Sequence, residues 1–386
     1  MNDSEKTPIK LRSRKALICT IMALASVCSI WLYRTKTQRD LNRQLLGAVK
    51  KNDTIAVRLL LTHGADPNVR DLRQQPRTLW EQIQHAFHRG SEIPATSVPP
   101  TNYIGVLNLS DEYFPERTIL ETAVFSYSES YDGSENVSIV KALLDAGART
   151  EDSSDKGHQT PLMMAALLGR LQTVQTLLDH HANPRARDDD GETALHCLHG
   201  NDIEDVKIAE LLVKRGSDVD AVDNEGKTPL QHNLTWVGQF NMTRFLIAHG
   251  ANVNKRSKDG SSALMVAAQS DYPEVAKLLI EHGAEVNISD DSKSTPLENA
   301  VYPGSIKIVN LLLTHGAKVN SIDTAGCTPL IRCMRSNNQS KIVAALIAHG
   351  ADVNHRDEYG QTALSDAKDA HFKDILKMLI AAGAKR

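Results

Sequence analysis

The chain has 386 residues, of which 41% are hydrophobic, 24% charged and only 4% aromatic, and its formal net charge is −3. This composition is that of a globular protein and excludes an entirely disordered chain, while the scarcity of aromatic residues favours a helical array over a β-sandwich or a large enzyme core. Five cysteines, two of them in an apolar N-terminal segment, exclude a disulfide scaffold and form no zinc or redox motif.

The charge is unevenly distributed along the chain. Residues 1–51 contain eleven Lys and Arg residues against three acidic ones, a net charge of +8, whereas residues 52–386 carry −11. An acidic body repels a phosphate backbone, so we expect no nucleic acid among the partners of this protein.

The N-terminal region divides into a basic tail, residues 1–15, and an uncharged segment, residues 16–33, without proline or glycine. A helix of this length measures about 27 Å, close to the hydrocarbon core of a bilayer at about 30 Å. The segment predicts a transmembrane signal anchor; cleavage of a signal peptide near Ala25 is the alternative. The short basic tail favours a cytoplasmic N-terminus with the body outside, or a secreted periplasmic product if cleavage occurs.

Two sequence landmarks then recur with a common period of 33 to 35 residues. The first is a Thr or Ser followed by Pro or Ala and then Leu, and the second is a Gly-Ala pair or its variant about 20 residues later. The first landmark occurs at Thr160, Thr193, Thr228, Ser262, Thr295, Thr328 and Thr362. The second occurs at Gly64, Gly147, His181, Gly216, Gly250, Gly283, Gly316, Gly350 and Gly383.

Each landmark has a physical role at a helix end. Threonine is a good N-cap, and proline at the next position costs no hydrogen bond, because an N–H at the first helical position would have no helical partner. Glycine adopts the left-handed conformation that ends a helix. Apolar runs such as 308–313 lie between the landmarks, and we expect Leu311 to be a packed position there, where alanine would cost about 2–5 kcal/mol.

This pattern resembles the ankyrin repeat, whose Thr-Pro-Leu-His-x-Ala signature is matched most closely by residues 160–165. The resemblance implies an all-α solenoid with a β-turn and two antiparallel helices per repeat, here preceded by one transmembrane helix. We assign a degenerate first repeat to residues 40–71 and eight repeats to residues 118–386. His181 and Lys293 replace glycines of the pattern and Asn233 replaces a small residue, so we expect looser joints there.

An insertion, residues 72–117, interrupts the repeats with five prolines and several aromatic residues, among them Trp80, Tyr103 and Phe114. Aromatic residues concentrate binding energy at interfaces, and loops on a rigid scaffold often carry function. Two interpretations remain open: the insertion packs on its neighbouring repeats, or it contacts a partner.

No motif for catalysis or metal binding stands out. Five histidines precede the helix-ending glycines, where an imidazole interacts favourably with the negative helix terminus, and residues one repeat apart cannot share one ion. Asp188, Asp189 and Asp190 predict a solvated acidic turn tip rather than a calcium loop, and Cys333 predicts a buried thiol. We therefore expect no cofactor, no metal and no enzymatic activity, with a catalytic site in the insertion as the less favoured alternative.

The leading hypothesis is a membrane-anchored scaffold for a protein partner that is itself membrane-bound or located in the cell envelope. A bacterial envelope fits best, because glycosylation sequons such as the one at Asn233 fall on packed repeat positions, where a glycan added in a eukaryotic secretory pathway would collide with the repeat. An inhibitor or immunity protein that caps a toxic enzyme is the alternative.

The family resemblance implies binding through turn tips and through the inner surface of the first helices. The tip candidates are Asp189, Asp190, Asn224, Glu225, Lys258, Asp259, Glu358 and Tyr359, and the inner-surface candidates are Met164, Cys197, His232, Val266, Asn299, Arg332 and Asp366.

Overall fold

The computed structural model describes residues 34–70, 117–125, 136–153, 157–198, 203–235, 240–335 and 340–385. Within these ranges the chain consists of helices, turns and two isolated antiparallel bridges, which confirms the predicted all-helical solenoid class. The chain divides into two compact units, residues 1–155 and residues 156–386.

The first unit contains helix α1 at residues 34–50, α2 (Thr54–Thr62), α3 (Ile119–Phe125) and α4 (Val137–Asp145), with α2 packed on α4. The residues on either side of the predicted insertion lie next to each other. The N–H of Ile119 donates to the carbonyl oxygen of Val69 (3.0 Å), and Arg70 forms an antiparallel β-bridge with Thr118. The same kind of bridge joins Arg256 to Ser262 in an uninterrupted repeat. The predicted insertion therefore departs from the turn between the two repeats.

The second unit repeats a short first helix and a longer second helix. The first helices are α5 (Pro161–Leu167), α8 (Pro229–Leu234), α10 (Ala263–Gln269), α12 (Pro296–Val301), α14 (Pro329–Met334) and α16 (Ala363–Asp369). The second helices are α6 (Leu171–Asp179), α7 (Ile203–Lys214), α9 (Phe240–Ala248), α11 (Pro273–Glu281), α13 (Ile306–Thr314), α15 (Ser340–Ala348) and α17 (Lys373–Ala381).

The helix ends follow the predicted signals. The hydroxyl of Thr228 accepts a hydrogen bond from the N–H of Gln231 at the start of α8, with Pro229 as the first helical residue. At the end of α9, Gly250 adopts a φ of 89° and donates its N–H to the carbonyl oxygen of Ile247 (3.0 Å). Local interactions therefore set both ends of the helix pair, as expected for an N-cap and a left-handed C-terminal residue.

The repeat that begins at Thr193 departs from this pattern. Residues 194–197 form a turn rather than a first helix, although Thr193 carries the same signal as the other caps. Gly200 and Asn201 follow within a few residues, and both are poor helix formers.

His181 and Lys293 take the left-handed conformation that glycine adopts elsewhere, with φ values of 66° and 59°. His181 also donates its N–H to the carbonyl oxygen of Leu178 (3.2 Å), which is the bond that Gly250 makes to Ile247. The joint at His181 thus keeps its backbone hydrogen bond, and the cost of the substitution lies in backbone strain.

The core of the second unit lies between the stacked helix pairs. On α13, Leu312 is fully buried, whereas Leu311 is only half-buried. The expectation that Leu311 is a packed position is therefore wrong, because adjacent residues of a helix point about 100° apart and Leu312 is the one that faces the core. Cys333 is buried, as predicted.

Within the part of the chain that the structure describes, no helix is long and apolar enough to cross a membrane. Helix α1 covers 17 residues but carries six charged side chains, and α7 has 12 residues, whereas a span needs about 20 apolar residues. This finding contradicts the predicted localisation as a single-pass membrane protein with its repeats outside the membrane. The segment predicted to span, residues 16–33, and the basic tail, residues 1–15, lie outside the described residues.

Candidate functional site

The turn tips of the second unit are joined to one another by backbone hydrogen bonds. One residue in each tip donates its N–H to a carbonyl oxygen of the preceding tip: Asp189 to Gly157, Asn224 to Asp190, Lys258 to Glu225, Asp291 to Asp259, Thr324 to Ser292 and Glu358 to Ala325, at 2.7–3.4 Å. The result is a continuous row, the tip ladder, which holds successive tips in register.

All eight predicted tip residues are exposed. The exposed acidic residues of the tip ladder outnumber the exposed lysines, since Asp189, Asp190, Glu225, Asp259, Asp291 and Glu358 stand against Lys258 and Lys293. Two of these carboxylates have a basic neighbour: His158 Nδ1 lies 2.9 Å from Asp189 Oδ2, and Lys227 Nζ lies 2.5 Å from Glu225 Oε2. The residues of the tip ladder itself are therefore mainly acidic, while three exposed arginines donate to carbonyl oxygens of the same turns: Arg187, Arg256 and Arg356.

A buried aspartate holds each of several tips from within. Asp223 Oδ1 accepts from the N–H groups of Glu225 and Lys227, both at 2.8 Å, and Asp357 Oδ1 makes the equivalent bonds to Tyr359 and Gln361. Sequence reasoning missed this set, although the spacing Asp-x-x-Gly would have revealed it. The aspartates with this spacing are Asp188, Asp223, Asp323 and Asp357.

Asp188 is one of these buried residues and not part of the solvated tip predicted for residues 188–190. Its Oδ1 accepts from the N–H groups of Asp190 and Glu192. Burial raises the pKa of Asp188 above its ordinary value, because hydrogen bonds offset only part of the loss of solvation.

The predicted inner-surface residues divide into two groups. His232, Val266, Asn299, Arg332 and Asp366 are half-buried, so part of each side chain is accessible to a partner. Met164 and Cys197 are buried, at 2% and 5% exposure, and their side chains lie in the core. Met164 follows Pro161 on α5 in the same register as His232 on α8, so the pattern alone did not distinguish them.

Charged partners surround two of the half-buried residues, Arg332 and Asp366. Arg332 Nε lies 2.7 Å from Asp323 Oδ2, and Arg335 places its guanidinium 2.6 Å from Asp357 Oδ2 and 3.5 Å from Asp366 Oδ2. Burial raises the pKa of Asp366, and the charge of Arg335 offsets only part of that rise. Although burial also opposes ionisation of Asp357, backbone hydrogen bonds and Arg335 lower its pKa.

His232 meets two carboxylates from neighbouring repeats. Its Nε2 lies 3.2 Å from Glu192 Oε1 and 3.2 Å from Asp223 Oδ2, and the three ligand atoms lie within 4.8 Å of one another. Burial alone would lower the pKa of His232, but the hydrogen bond to Glu192 and the charges of both carboxylates raise it above its ordinary value. We name these three residues the acid–histidine cluster.

His196 lies beside this cluster, and its ring meets the ring of His232 edge to face at 5.4 Å. Its Nδ1 accepts from the N–H of Thr193 (3.1 Å), so Nε2 carries a proton and donates to the carbonyl oxygen of Lys227 (3.2 Å). Burial lowers the pKa of His196 to about 4, so this ring is neutral at physiological pH and joins two repeats.

The five histidines that precede helix-ending glycines have a shared structural role, as predicted. In each, Nδ1 donates to the carbonyl oxygen four residues earlier at 2.7–2.9 Å; these residues are His63, His249, His282, His315 and His349. Each ring therefore adds a second hydrogen bond to a carbonyl oxygen in the last turn of a helix, which already accepts the backbone N–H of the same histidine.

The candidates from the insertion, Trp80, Tyr103 and Phe114, lie outside the described residues. The same holds for the alternative of a catalytic site in the insertion.

Comparison with known families identifies the repeated unit. A family model described as "Ankyrin repeats (3 copies)" matches residues 128–223, 180–257, 236–323 and 297–385. A model described as "Ankyrin repeat" matches residues 45–72, within the segment assigned to the degenerate first repeat and one residue beyond it.

Individual relatives share parts of the chain. It is 32% identical over 166 residues to the B-cell lymphoma 3 protein homolog of Mus musculus, an alignment that covers 33% of this chain and 37% of that protein. It is 33% identical over 233 residues to Rabankyrin-5 of Homo sapiens, covering 54% of this chain and 19% of that protein. The Phosphocholine transferase AnkX of Legionella pneumophila is 28% identical over 130 residues, covering 33% and 14%.

The chain thus spans no more than 37% of the length of any of these three relatives. Their origins in mouse, human and a bacterium do not support the predicted bacterial assignment.

Proposed function

Because the chain belongs to the ankyrin repeat family, we propose that it is a protein-binding scaffold without catalysis of its own, whose partner docks on the tip ladder and the adjoining half-buried side chains. The observation that carries this proposal is the tip ladder itself. Its backbone bonds hold exposed side chains from Asp189 to Glu358 in one row, so a partner would meet a preorganised surface.

The charge of the tip ladder specifies the kind of partner. Six exposed carboxylates stand against two lysines, so the partner should present a basic surface or segment. Half-buried groups such as His232, Val266 and Asn299 add polar and apolar contacts beside that row. The expected membrane-bound partner depended on the predicted membrane span, so this proposal commits only to a protein partner.

Affinity capture with the full chain, followed by a binding assay with the captured protein, tests the proposal. The tip variant combines Asp189→Lys, Glu225→Lys and Asp259→Lys. The control variant makes the same charge changes on exposed residues of second helices, Glu210→Lys, Glu274→Lys and Glu281→Lys. The two variants have the same net charge, so they separate a local surface effect from a general one.

We expect the tip variant to weaken binding by tenfold or more and the control variant to bind within twofold of the wild type. Wild-type affinity should also fall as salt rises, because exposed charges are screened. Equal binding by both variants would remove the tip ladder from the interface. The alternative function, an inhibitor that caps an enzyme, is tested if the captured protein is an enzyme: we then compare its activity free and in the complex, and inhibition predicts a loss of activity in the complex.

A further inference from the structure

The acid–histidine cluster combines residues from two consecutive repeats, and no local sequence motif predicts it. Glu192 comes from the turn before Thr193, whereas Asp223 and His232 come from the following turn and from α8. We infer that this cluster is a binding site for Zn²⁺, with Nε2 of His232 and one carboxylate oxygen each of Glu192 and Asp223 as ligands. The inference concerns the isolated chain and does not rest on the proposed function.

The spacing of the donor atoms matches the coordination of this ion. Zinc binds imidazole nitrogen and carboxylate oxygen at about 2.0–2.2 Å in a tetrahedral arrangement, which sets ligand atoms about 3.3–3.6 Å apart. Nε2 of His232 lies 3.2 Å from each of the two carboxylate oxygens. The remaining pair of oxygens lies within 4.8 Å, so a small movement of the Glu192 side chain completes the triangle.

Two of the ligands are held in place by the surrounding backbone. Asp223 is 8% exposed, and its Oδ1 is occupied by two N–H groups, which leaves Oδ2 directed at the cluster. The N–H of Glu192 is bonded to Asp188 Oδ1 (2.8 Å), which anchors the main chain at that ligand. Such supporting bonds orient ligands before the metal binds.

The aspartate that corresponds to Asp223 in another repeat, Asp323, is neutralised by an arginine. Asp323 and Arg332 stand in their repeat where Asp223 and His232 stand in theirs, and the guanidinium pairs directly with the carboxylate. The residue that corresponds to Glu192 there is Ser294. In that repeat, the permanently charged guanidinium of Arg332 therefore pairs with a single carboxylate, that of Asp323.

The acid–histidine cluster instead places two carboxylates around one imidazole. The ammonium of Lys227 pairs with Glu225. Two carboxylate oxygens and one imidazole nitrogen form a donor set that zinc accepts in proteins.

His196 does not supply a fourth ligand, because both of its ring nitrogens are used in bonds to Thr193 and Lys227. The side chains of Glu192 and His232 keep 23% and 20% of their surface exposed, which gives an ion access from solvent. The remaining coordination position is therefore open to water or to a side chain from another protein.

Isothermal titration calorimetry of the full chain with ZnCl₂ tests the inference. The central variant is His232→Arg, which copies the natural pair of Arg332 with Asp323 and should keep the fold. Glu192→Gln is a second, isosteric variant at a partly exposed ligand. His249→Gln is the control, since His249 is an exposed helix-capping histidine outside the cluster.

We expect the wild type to bind one more Zn²⁺ per chain than His232→Arg, and Glu192→Gln to weaken that site by tenfold or more. The His249→Gln control should keep the wild-type number. Zinc should also raise the thermal midpoint of the wild type and not that of His232→Arg, because a ligand stabilises the state that binds it. Equal zinc binding by wild type and a folded His232→Arg, or by wild type and Glu192→Gln, would overturn the assignment.

Discussion

The side-chain amide of Asn254 donates from Nδ2 to the carbonyl oxygen of Gly283 at 2.8 Å. Its Oδ1 accepts in return from the N–H of Glu285, also at 2.8 Å. The same two bonds to the next repeat are made by Asn68, Asn287, Asn320 and Asn354. These asparagines therefore contribute directly to the interface between neighbouring repeats, on which the stability of a solenoid depends.

Asn254→Ala removes both bonds and should lower the free energy of unfolding by about 1–2 kcal/mol, since each hydrogen bond contributes about 0.5–1.5 kcal/mol. Asn254→Asp keeps the acceptor and loses the donor, so its loss should be smaller. Urea denaturation followed by circular dichroism measures the difference. Lys255→Ala, at an exposed neighbour, is the control and should stay within about 0.5 kcal/mol. An equal effect of the alanine variants would show that the amide does not couple the repeats.

Leu312→Ala should destabilise the protein by about 2–5 kcal/mol, because the side chain is fully buried and its removal leaves a cavity. Leu311→Ala should cost clearly less, since Leu311 is half-buried. The pair differs only in position on α13, so each serves as the control for the other in the same denaturation experiment. A larger loss for Leu311→Ala would reverse the assignment of the core face.

Lys293→Gly should raise the free energy of unfolding by about 0.5–1 kcal/mol. Lys293 has a φ of 59°, a conformation that costs a residue with a Cβ atom about 1–2 kcal/mol, while the greater freedom of glycine in the unfolded chain offsets part of the gain. Lys293→Ala removes the same charge but keeps the Cβ atom, so it should give no gain. If alanine stabilises as much as glycine, charge rather than backbone strain is responsible.

The buried carboxyl group of Glu298 should make the free energy of unfolding depend on pH. It is 6% exposed, and burial raises its pKa to about 7, although Thr295 and Ser321 donate hydrogen bonds to its carboxylate. The folded state thus binds the proton more tightly than the unfolded state, whose Glu pKa is about 4.3. This contribution is fully present below about pH 4.3 and is lost as the pH rises through about 7.

Glu298→Gln should remove this dependence and stabilise the protein relative to wild type by about 1–3 kcal/mol more at pH 8 than at pH 5. Glutamine fits this position, because Gln231 occupies the equivalent site in its repeat, accepts from the N–H of Thr228 and donates to the carbonyl oxygen of Ser261. Urea midpoints of both proteins at the two pH values provide the measurement. A difference that does not change with pH would mean that Glu298 stays ionised throughout.

Much of the fold was predictable because its signals act over a few residues. Thr228 and Gly250 mark the two ends of a helix pair through bonds to residues within four positions, and such bonds repeat with the period of the chain. The turn at Thr193 shows the limit of this reasoning, since its cap is present but the residues after it do not extend a helix.

The candidate site was predictable only in part. The exposure of tip residues such as Asp189 and Glu358 follows from their place in a turn, and their role in binding stays a prediction. Burial of Met164 and Cys197 was not predictable from register, because the depth of a side chain depends on the neighbouring repeat. The predicted membrane localisation was wrong, since no described helix has the length and apolar character of a span.

The sequence by itself determined the period, most of the helix boundaries and the position of the turn tips, because caps such as Thr228 and left-handed residues such as Gly250 act on their own segment of chain. The tertiary structure alone decided that Leu312 rather than Leu311 faces the core and that Glu192 meets His232, 40 positions along the chain. Stacking brings one repeat against the next, and the contacts that it creates depend on orientation and distance, which no local pattern encodes.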